Sequence, residues 1–385
     1  MNFLVFFSIN LPLAIWALGV GTLSYANPDN MTYKIFLWCY IALWLAQYIS
    51  WQVISKRAEV FSRPFYLNIR YRIVIISLTL VVFFAAFVMG VKLFQLTQIY
   101  GPDDARFIVR SLPGFVFASR IVYWWPIVLA PFVLLYRLQR KSLLSYLLIF
   151  CLFLTALFSG SKAGIVWLAI SFLVSLHALK SSGYEVEREK KIVFYLIVFS
   201  FFSMAGIWIL LSDDLVSALG GFLFRISYGA VEGIDFAVMY HESKGSSFPY
   251  FSIQRPLEEF ATSFRLMEKT YLSGDTGVYL ARYFDRVNDN ASYTISIVGL
   301  AFLEGGFVGL IFIFVTLIPW IYLVWKFFKS NHVVTRLICV SALIVYAHWL
   351  DWGWMDGILM FCIIYVVTAT ILLKFIPRFR LGLNQ

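Results

Sequence analysis

Ile73-Val-Ile-Ile-Ser-Leu-Thr-Leu-Val-Val-Phe-Phe-Ala-Ala-Phe-Val-Met-Gly-Val91 is a run of 19 residues without a single charge. As an α-helix it extends about 30 Å, the thickness of a bilayer's hydrocarbon core. Comparable runs recur along the chain. A window of roughly 19 residues predicts membrane-spanning helices near 3–23, 35–54, 73–95, 114–136, 143–159, 163–179, 192–211, 296–325, 333–350 and 357–373, about ten in all. The first run has no basic segment ahead of it and is read as a retained span rather than a cleaved signal. Pro126 and Pro131 in the fourth predict a kink, tolerated where neighbouring helices satisfy the freed backbone groups.

Composition agrees with this pattern. The 385 residues are 61% hydrophobic and only 14% charged, and the mean hydropathy is +0.81. An ordinary soluble domain carries about 25% charged residues, so that class is excluded. The 39 Phe, 22 Tyr and 13 Trp suit lipid-facing surfaces and interfacial belts. Cys39, Cys151, Cys339 and Cys362 lie within apolar runs, without paired or metal-ligand spacing, and read as buried thiols.

Alternating the connectors across the membrane separates the charges. One side collects Lys56, Arg57, Arg63, Arg70, Arg72, Arg137, Arg140, Lys141, Lys180, Arg188, Lys190, Lys191, Lys326, Lys329, Arg336, Lys374, Arg378 and Arg380, which are 18 of the 31 basic residues. Only Glu59, Glu185, Glu187 and Glu189 oppose them. The excess of Lys and Arg makes this the cytoplasmic side, with both termini inside. The other side keeps 13 basic and 17 acidic residues, net −4, so the overall +10 is topological and nucleic-acid binding has no support.

The chain leaves this regime once, between Ser212 and Tyr293. The expected organisation is therefore residues 1–211 with transmembrane helices one to seven, a large periplasmic loop at 212–293, and residues 294–385 with helices eight to ten and a cytoplasmic tail. Leu215, Leu219, Phe222 and Ile226 recur at helical spacing in the loop, as do Phe260, Phe264 and Met267 after Pro256. Two or three short helices over the mouth of a helical bundle are the expectation. The fold class is all-α and polytopic.

Candidate chemistry concentrates on that outer side. There is no P-loop lysine motif, no HExxH, no CxxC and no G-x-S-x-G. The adjacent pairs Asp103-Asp104 and Asp213-Asp214 lack the spacing of a metal-holding Asp-x-Asp, so neither a cofactor nor a metal is signalled. Arginines are abundant instead: Arg106, Arg110 and Arg120 at the fourth span, and Arg225, Arg255, Arg265, Arg282 and Arg286 in the loop. Guanidinium binds phosphate in bidentate fashion, and several together can neutralise a pyrophosphate. Arg120 lies inside an apolar run, where an ionisable group is functional or snorkels to headgroups. Lys162, in the turn Ser159-Gly-Ser-Lys162, is a phosphate or carboxylate partner or a plain interfacial anchor. Glu304 reads as a capping or packing residue among glycines. His241 and His348 are the outer histidines, each a general base or a structural ring. Asp351 and Asp356 flank Trp352 and Trp354, a sugar platform or an aromatic belt.

Phe158-Ser-Gly-Ser-Lys162-Ala-Gly164 resembles the S-R-(small) turn of the O-antigen polymerase and ligase superfamily. Asn290-Ala-Ser-Tyr293, followed by Leu303-Glu-Gly-Gly-Phe-Val-Gly309, resembles that superfamily's H-N-x-(Y/F)-L … E-x-G-x-x-G stretch after its large loop. Lys162 replaces the arginine, and Asp289 replaces the histidine, that ligases carry. The second departure favours the more divergent repeat-unit polymerases.

The resemblance implies a GT-C-like, metal-independent glycosyltransferase of the bacterial inner membrane. It would transfer a growing glycan from undecaprenyl pyrophosphate to the next lipid-linked unit, among membrane lipids, with a chain-length regulator as partner. Asp289, Arg286 and Lys162 become the expected catalytic residues, and Arg106, Arg110, Arg120, Arg225, Arg255, Arg265 and Arg282 the expected pyrophosphate and sugar ligands. Glu232, Asp235, Glu258, Glu259 and His241 are further candidates for the base that activates the sugar hydroxyl. Two alternatives stand beside this reading: a ligase moving finished polymer to lipid A core, and a transporter of lipid-linked sugars.

Overall fold

The computed structural model describes residues 2–56, 69–100, 115–158, 162–195, 232–244 and 295–352, with scattered positions between them. Every described element is helical. In chain order they are α1 (Asn2–Ile9), α2 (Leu11–Ala26), α3 (Met31–Lys56), α4 (Ile69–Tyr100), α5 (Phe115–Gln139), α6 (Leu143–Phe158), α7 (Lys162–Ser181), α8 (Glu232–Lys244), α9 (Ile297–Phe312), α10 (Leu317–Lys329) and α11 (Val333–Trp352). Among the described residues six helical segments are long and apolar enough to cross a membrane, or seven when α1 and α2 count as one bent span. An all-helical, multi-pass architecture follows, because only closed hydrogen-bonding within the segment lets such backbone lie in lipid. Most of the expected span at 192–211, the whole of that at 357–373 and most of the 212–293 insert lie outside the described residues.

Three expected spans take a different form. The run 3–23 is two helices meeting at 66°. Pro12 opens α2 without an amide hydrogen, and its ring crowds the carbonyl four residues back. Asn10 sits at the junction and its side-chain amide donates to the Phe6 carbonyl at 3.0 Å, closing the last turn of α1. The run 143–159 is a helix of 16 residues, about 24 Å long. The third difference concerns 296–325. A straight helix from Ile297 to Lys329 would be about 50 Å long, well beyond the roughly 30 Å of hydrocarbon.

The chain solves this by folding back at Gly306, whose φ of 58° and ψ of −142° break the helix. Beyond the break, Gly309 comes so near Ala301 that a Cβ on it would lie 1.9 Å from the Ala301 carbonyl oxygen. Residues eight apart in an unbroken helix are separated by about 12 Å along the axis. Ile297–Gly305 is thus a half-helix. Its N-cap Ser296 accepts from the Gly299 amide and pairs with the Tyr40 hydroxyl. Phe302, further along it, packs 4.9 Å from Phe36. Because Phe36 precedes Tyr40 on α3, the half-helix climbs toward the Asn30 end of the bundle before the chain turns. The descending limb then runs to the other end of the bundle: Trp320 donates to Ser50 at 2.9 Å, and Phe328 packs 4.9 Å from Trp51.

α5 runs through the centre, buried against α4, α6, α7 and α11. Pro131 leaves the Ile127 carbonyl without its helical donor, and serines from two neighbouring helices bond carbonyls at this level. Ser171 of α7 donates to the Ile127 carbonyl at 2.8 Å, and Ser341 of α11 donates to the Val128 carbonyl at 3.2 Å. In lipid such bonds and tight packing hold helices together, since apolar burial itself gains little there. The α4–α6 contact is of the tight kind, for a Cβ on Gly90 would fall 2.9 Å from the Phe158 ring.

Basic residues gather at the opposite end from Asn30. The Arg137 guanidinium lies 3.9 Å over the ring of the exposed Tyr146 and 4.0 Å from the Glu189 carboxylate, and Arg137 and Glu189 are both buried. Arg336 donates to the Ser181 carbonyl at 3.2 Å, binding the C-terminal end of α7. Outside the bundle, the hydrogen bond from Lys190 holds the Glu187 carboxyl below its ordinary range. Cys151 and Cys339 are buried free thiols and Cys39 is half-buried.

Candidate functional site

His348 is the point at which α5, α7 and α11 meet. Its ring is 1% exposed and sits inside an aromatic box. Trp124 approaches to 4.5 Å between centroids, Trp167 to 5.1 Å and Tyr123 to 5.6 Å. The Tyr123 hydroxyl is 3.4 Å from His348 Nε2. Trp124 and Trp167 meet the imidazole edge-on, at interplanar angles of 80° and 86°, the arrangement favoured by the ring quadrupoles.

Toward the Asn30 end, each of these three helices carries a charged residue within two turns of the box. Arg120 precedes Tyr123 by about 4.5 Å along α5, Lys162 precedes Trp167 by about 7.5 Å along α7, and Asp351 follows His348 by about 4.5 Å along α11. Lys162 is also the first residue of α7, so the positive end of a 20-residue helix lies at the same level. Two cationic positions, one acidic position and one helix N-terminus thus share this end, a net excess of positive charge that suits an anion. The fold therefore brings Arg120 and Lys162 to one end of one helix triplet, although they are distant in sequence.

The described part of the insert, α8, docks at that same end. Ile234 and Ala237 face Gly299, where the missing side chain lets the two helices approach. Phe236, Ala237 and Tyr240 join Leu280, Ile295, Leu300 and Leu303 in a compact apolar cluster. Two polar contacts tie α8 to the start of α3: the Tyr33 hydroxyl donates to the Asp235 carboxylate, and the Asn30 amide donates to Glu242 Oε1 at 3.4 Å. His241 lies with its ring centroid 4.3 Å from that of Phe302 on the half-helix.

The expected site residues divide accordingly. The backbones of Arg120 and Lys162 are placed as above; their side chains lie outside the description. Arg106, Arg110, Arg225, Arg255, Arg265, Arg282, Arg286 and Asp289 fall outside the described residues, as do Glu258, Glu259, Trp354 and Asp356. Of the candidate bases, Asp235 is engaged by Tyr33, Glu232 begins α8, and His241 packs on Phe302. Glu304 stands half-buried just before the Gly305–Gly306 turn. Among the described residues no three His, Cys, Asp or Glu side chains are grouped to hold a metal.

Sequence reasoning missed the aromatic box and the Ser296–Tyr40 contact. Tyr123, Trp124 and Trp167 look like any aromatic in an apolar run, and nothing in their spacing marks a shared partner. The half-helix did leave a signal in Glu304-Gly-Gly-Phe-Val-Gly309, where one glycine supplies a positive φ and another a close approach. No protein-family model, no curated protein and no solved structure matches the chain.

Proposed function

We propose that this protein is a membrane glycosyltransferase that polymerises lipid-linked oligosaccharide repeat units. The growing glycan leaves undecaprenyl pyrophosphate and joins the next lipid-linked unit on the non-cytoplasmic side, without a metal. One observation carries the reading: Arg120 and Lys162 stand at the same end of the helix triplet around His348, the end where α8 of the insert docks. Departure of a pyrophosphate develops negative charge, which cationic residues at a helix N-terminus would stabilise. The glycine-driven fold-back at Gly306 adds support, since it falls in the stretch that resembles the superfamily's E-x-G-x-x-G. Asp289 remains the proposed base, with Arg282 and Arg286 beside it in sequence.

The test is a gene deletion in the native host, with surface glycan resolved on a gel. Core carrying a single repeat unit is the expected result. Free polymer beside unmodified core would assign the ligase activity instead, and an unchanged surface glycan would exclude both.

A further inference from the structure

We propose that the basic end of the bundle holds a binding site for the phosphate of an anionic phospholipid. The first turn of α6, the Arg140-Lys141 turn before it and Arg188 beside it form the site. It is independent of the glycosyltransferase reading.

Arg140 and Lys141 are exposed and join α5 to α6. The turn is tight: the Arg140 amide donates to the Tyr136 carbonyl at 2.9 Å, and the Ser142 amide to the Arg140 carbonyl at 2.8 Å. α6 begins at Leu143. Its first amides have no carbonyl a turn earlier within the helix, so the positive end of α6 lies beside the two cations.

Arg137 is a second, separate observation. Its side chain is 1% exposed, yet among the described residues its Nε and Nη1 have no hydrogen-bond partner. The guanidinium lies over the ring of Tyr146, in the first turn of α6, and donates to that hydroxyl. The Glu189 carboxylate, at 4.0 Å, is beyond hydrogen-bonding distance. Glu189 also brings its neighbour, the exposed Arg188, to the same place. In the helix at 187–195, Glu187 and Lys190 lie toward α7, where Glu187 meets Lys180 at 3.9 Å. Arg188 lies on the other side of Glu189, toward α6.

A lipid fits this end better than a free phosphate. Leu143, Leu147 and Phe150 share one face of α6 just below the cations and are 85%, 49% and 53% exposed, a surface for acyl chains. Basic pockets between helices at a membrane surface take anionic headgroups in this way. Of the exposed acids in the stretch, Glu185 and Glu187, the second is already held by Lys190.

The test is native mass spectrometry of the full chain in detergent, titrated with phosphatidylglycerol, phosphatidylcholine or glycerol 3-phosphate. One phosphatidylglycerol should bind at least about fivefold more tightly than phosphatidylcholine. Lys141→Ala and Arg188→Ala should each weaken it about three- to fivefold, the scale of one basic residue near anionic lipid. Both residues are exposed, and circular dichroism checks that the variants keep their helicity. Lys326→Ala, on α10, which packs on α3 and α11, should stay within about twofold of the unchanged protein. Equal affinity for the two lipids overturns the proposal. So does an equal loss in Lys326→Ala, which would indicate diffuse attraction to charge. Glycerol 3-phosphate displacing phosphatidylglycerol at equal concentration would assign a free-phosphate site and overturn the lipid.

Discussion

The Ser171 hydroxyl donates to the Ile127 carbonyl at 2.8 Å, and Ile127 is the residue whose helical partner would have been the amide of Pro131. A neighbouring helix thus supplies the hydrogen that proline lacks. Ser341 of α11 donates to the next carbonyl, that of Val128, whose own helical position four residues on is Phe132 rather than a proline. Between them they fasten α5 to both other helices of the His348 box.

Removing Ser171 should expose that dependence. Ser171→Ala leaves the Ile127 carbonyl buried without its donor, at a cost of about 1–3 kcal/mol. Thermal unfolding in detergent should show a lowered midpoint for Ser171→Ala and a nearly unchanged one for Ser171→Thr. Equal midpoints for all three proteins would mean that the carbonyl is satisfied in another way.

The three glycines of the fold-back should respond in a graded order. Gly305→Ala meets no atom within 4 Å and should be almost neutral. Gly306→Ala places a Cβ at φ 58° and ψ −142°, a region essentially reserved for glycine, costing about 1–3 kcal/mol. Gly309→Ala drives a Cβ into the Ala301 carbonyl and should abolish the folded protein. Fluorescence-detected size exclusion reads the series, and a benign Gly309→Ala would refute the close approach.

The interior Arg137–Glu189 pair should behave as a unit. Replacing either residue alone strands a charge away from water and should cost about 3–5 kcal/mol. Arg137→Met combined with Glu189→Met should recover much of that loss, because the uncompensated charge disappears. A double-mutant cycle on unfolding midpoints gives the coupling, and additive losses would show that the two groups do not interact.

Bidentate recognition of phosphate distinguishes arginine from lysine. Arg120→Lys, Arg265→Lys and Arg286→Lys should each lower polymerisation at least several-fold when supplied to the deletion strain, with membrane levels unchanged by immunoblot. Full polymer length in all three strains would remove the pyrophosphate role of these arginines.

Much of the architecture was readable before any tertiary information. Uncharged runs such as Ile73–Val91 must be helical in lipid, because their peptide groups have nowhere else to bond. The same logic made Pro126 and Pro131 demand outside donors without saying which residues would provide them. Length and hydropathy failed where a helix bends or doubles back. The run 3–23 looks continuous, although it bends at Asn10 just ahead of Pro12, and 296–325 reads as one long span, although Gly306 divides it. Apolar content is blind to such breaks, since both limbs remain apolar.

The sequence alone determined that this is an all-helical chain with several apolar segments able to cross a membrane, set by composition and by the hydrogen-bonding needs of backbone in lipid. It also marked Arg120 as a charge inside an apolar run and Lys162 as a cation in the turn between two spans. Only the tertiary structure decided that these two stand at one end of a single helix triplet, that His348 is sealed beneath that end, and that a glycine turn sends a half-helix up beside α8. Those facts depend on contacts between residues hundreds of positions apart. Side-chain shape and helix crossing select such contacts, and no periodicity along the chain records them.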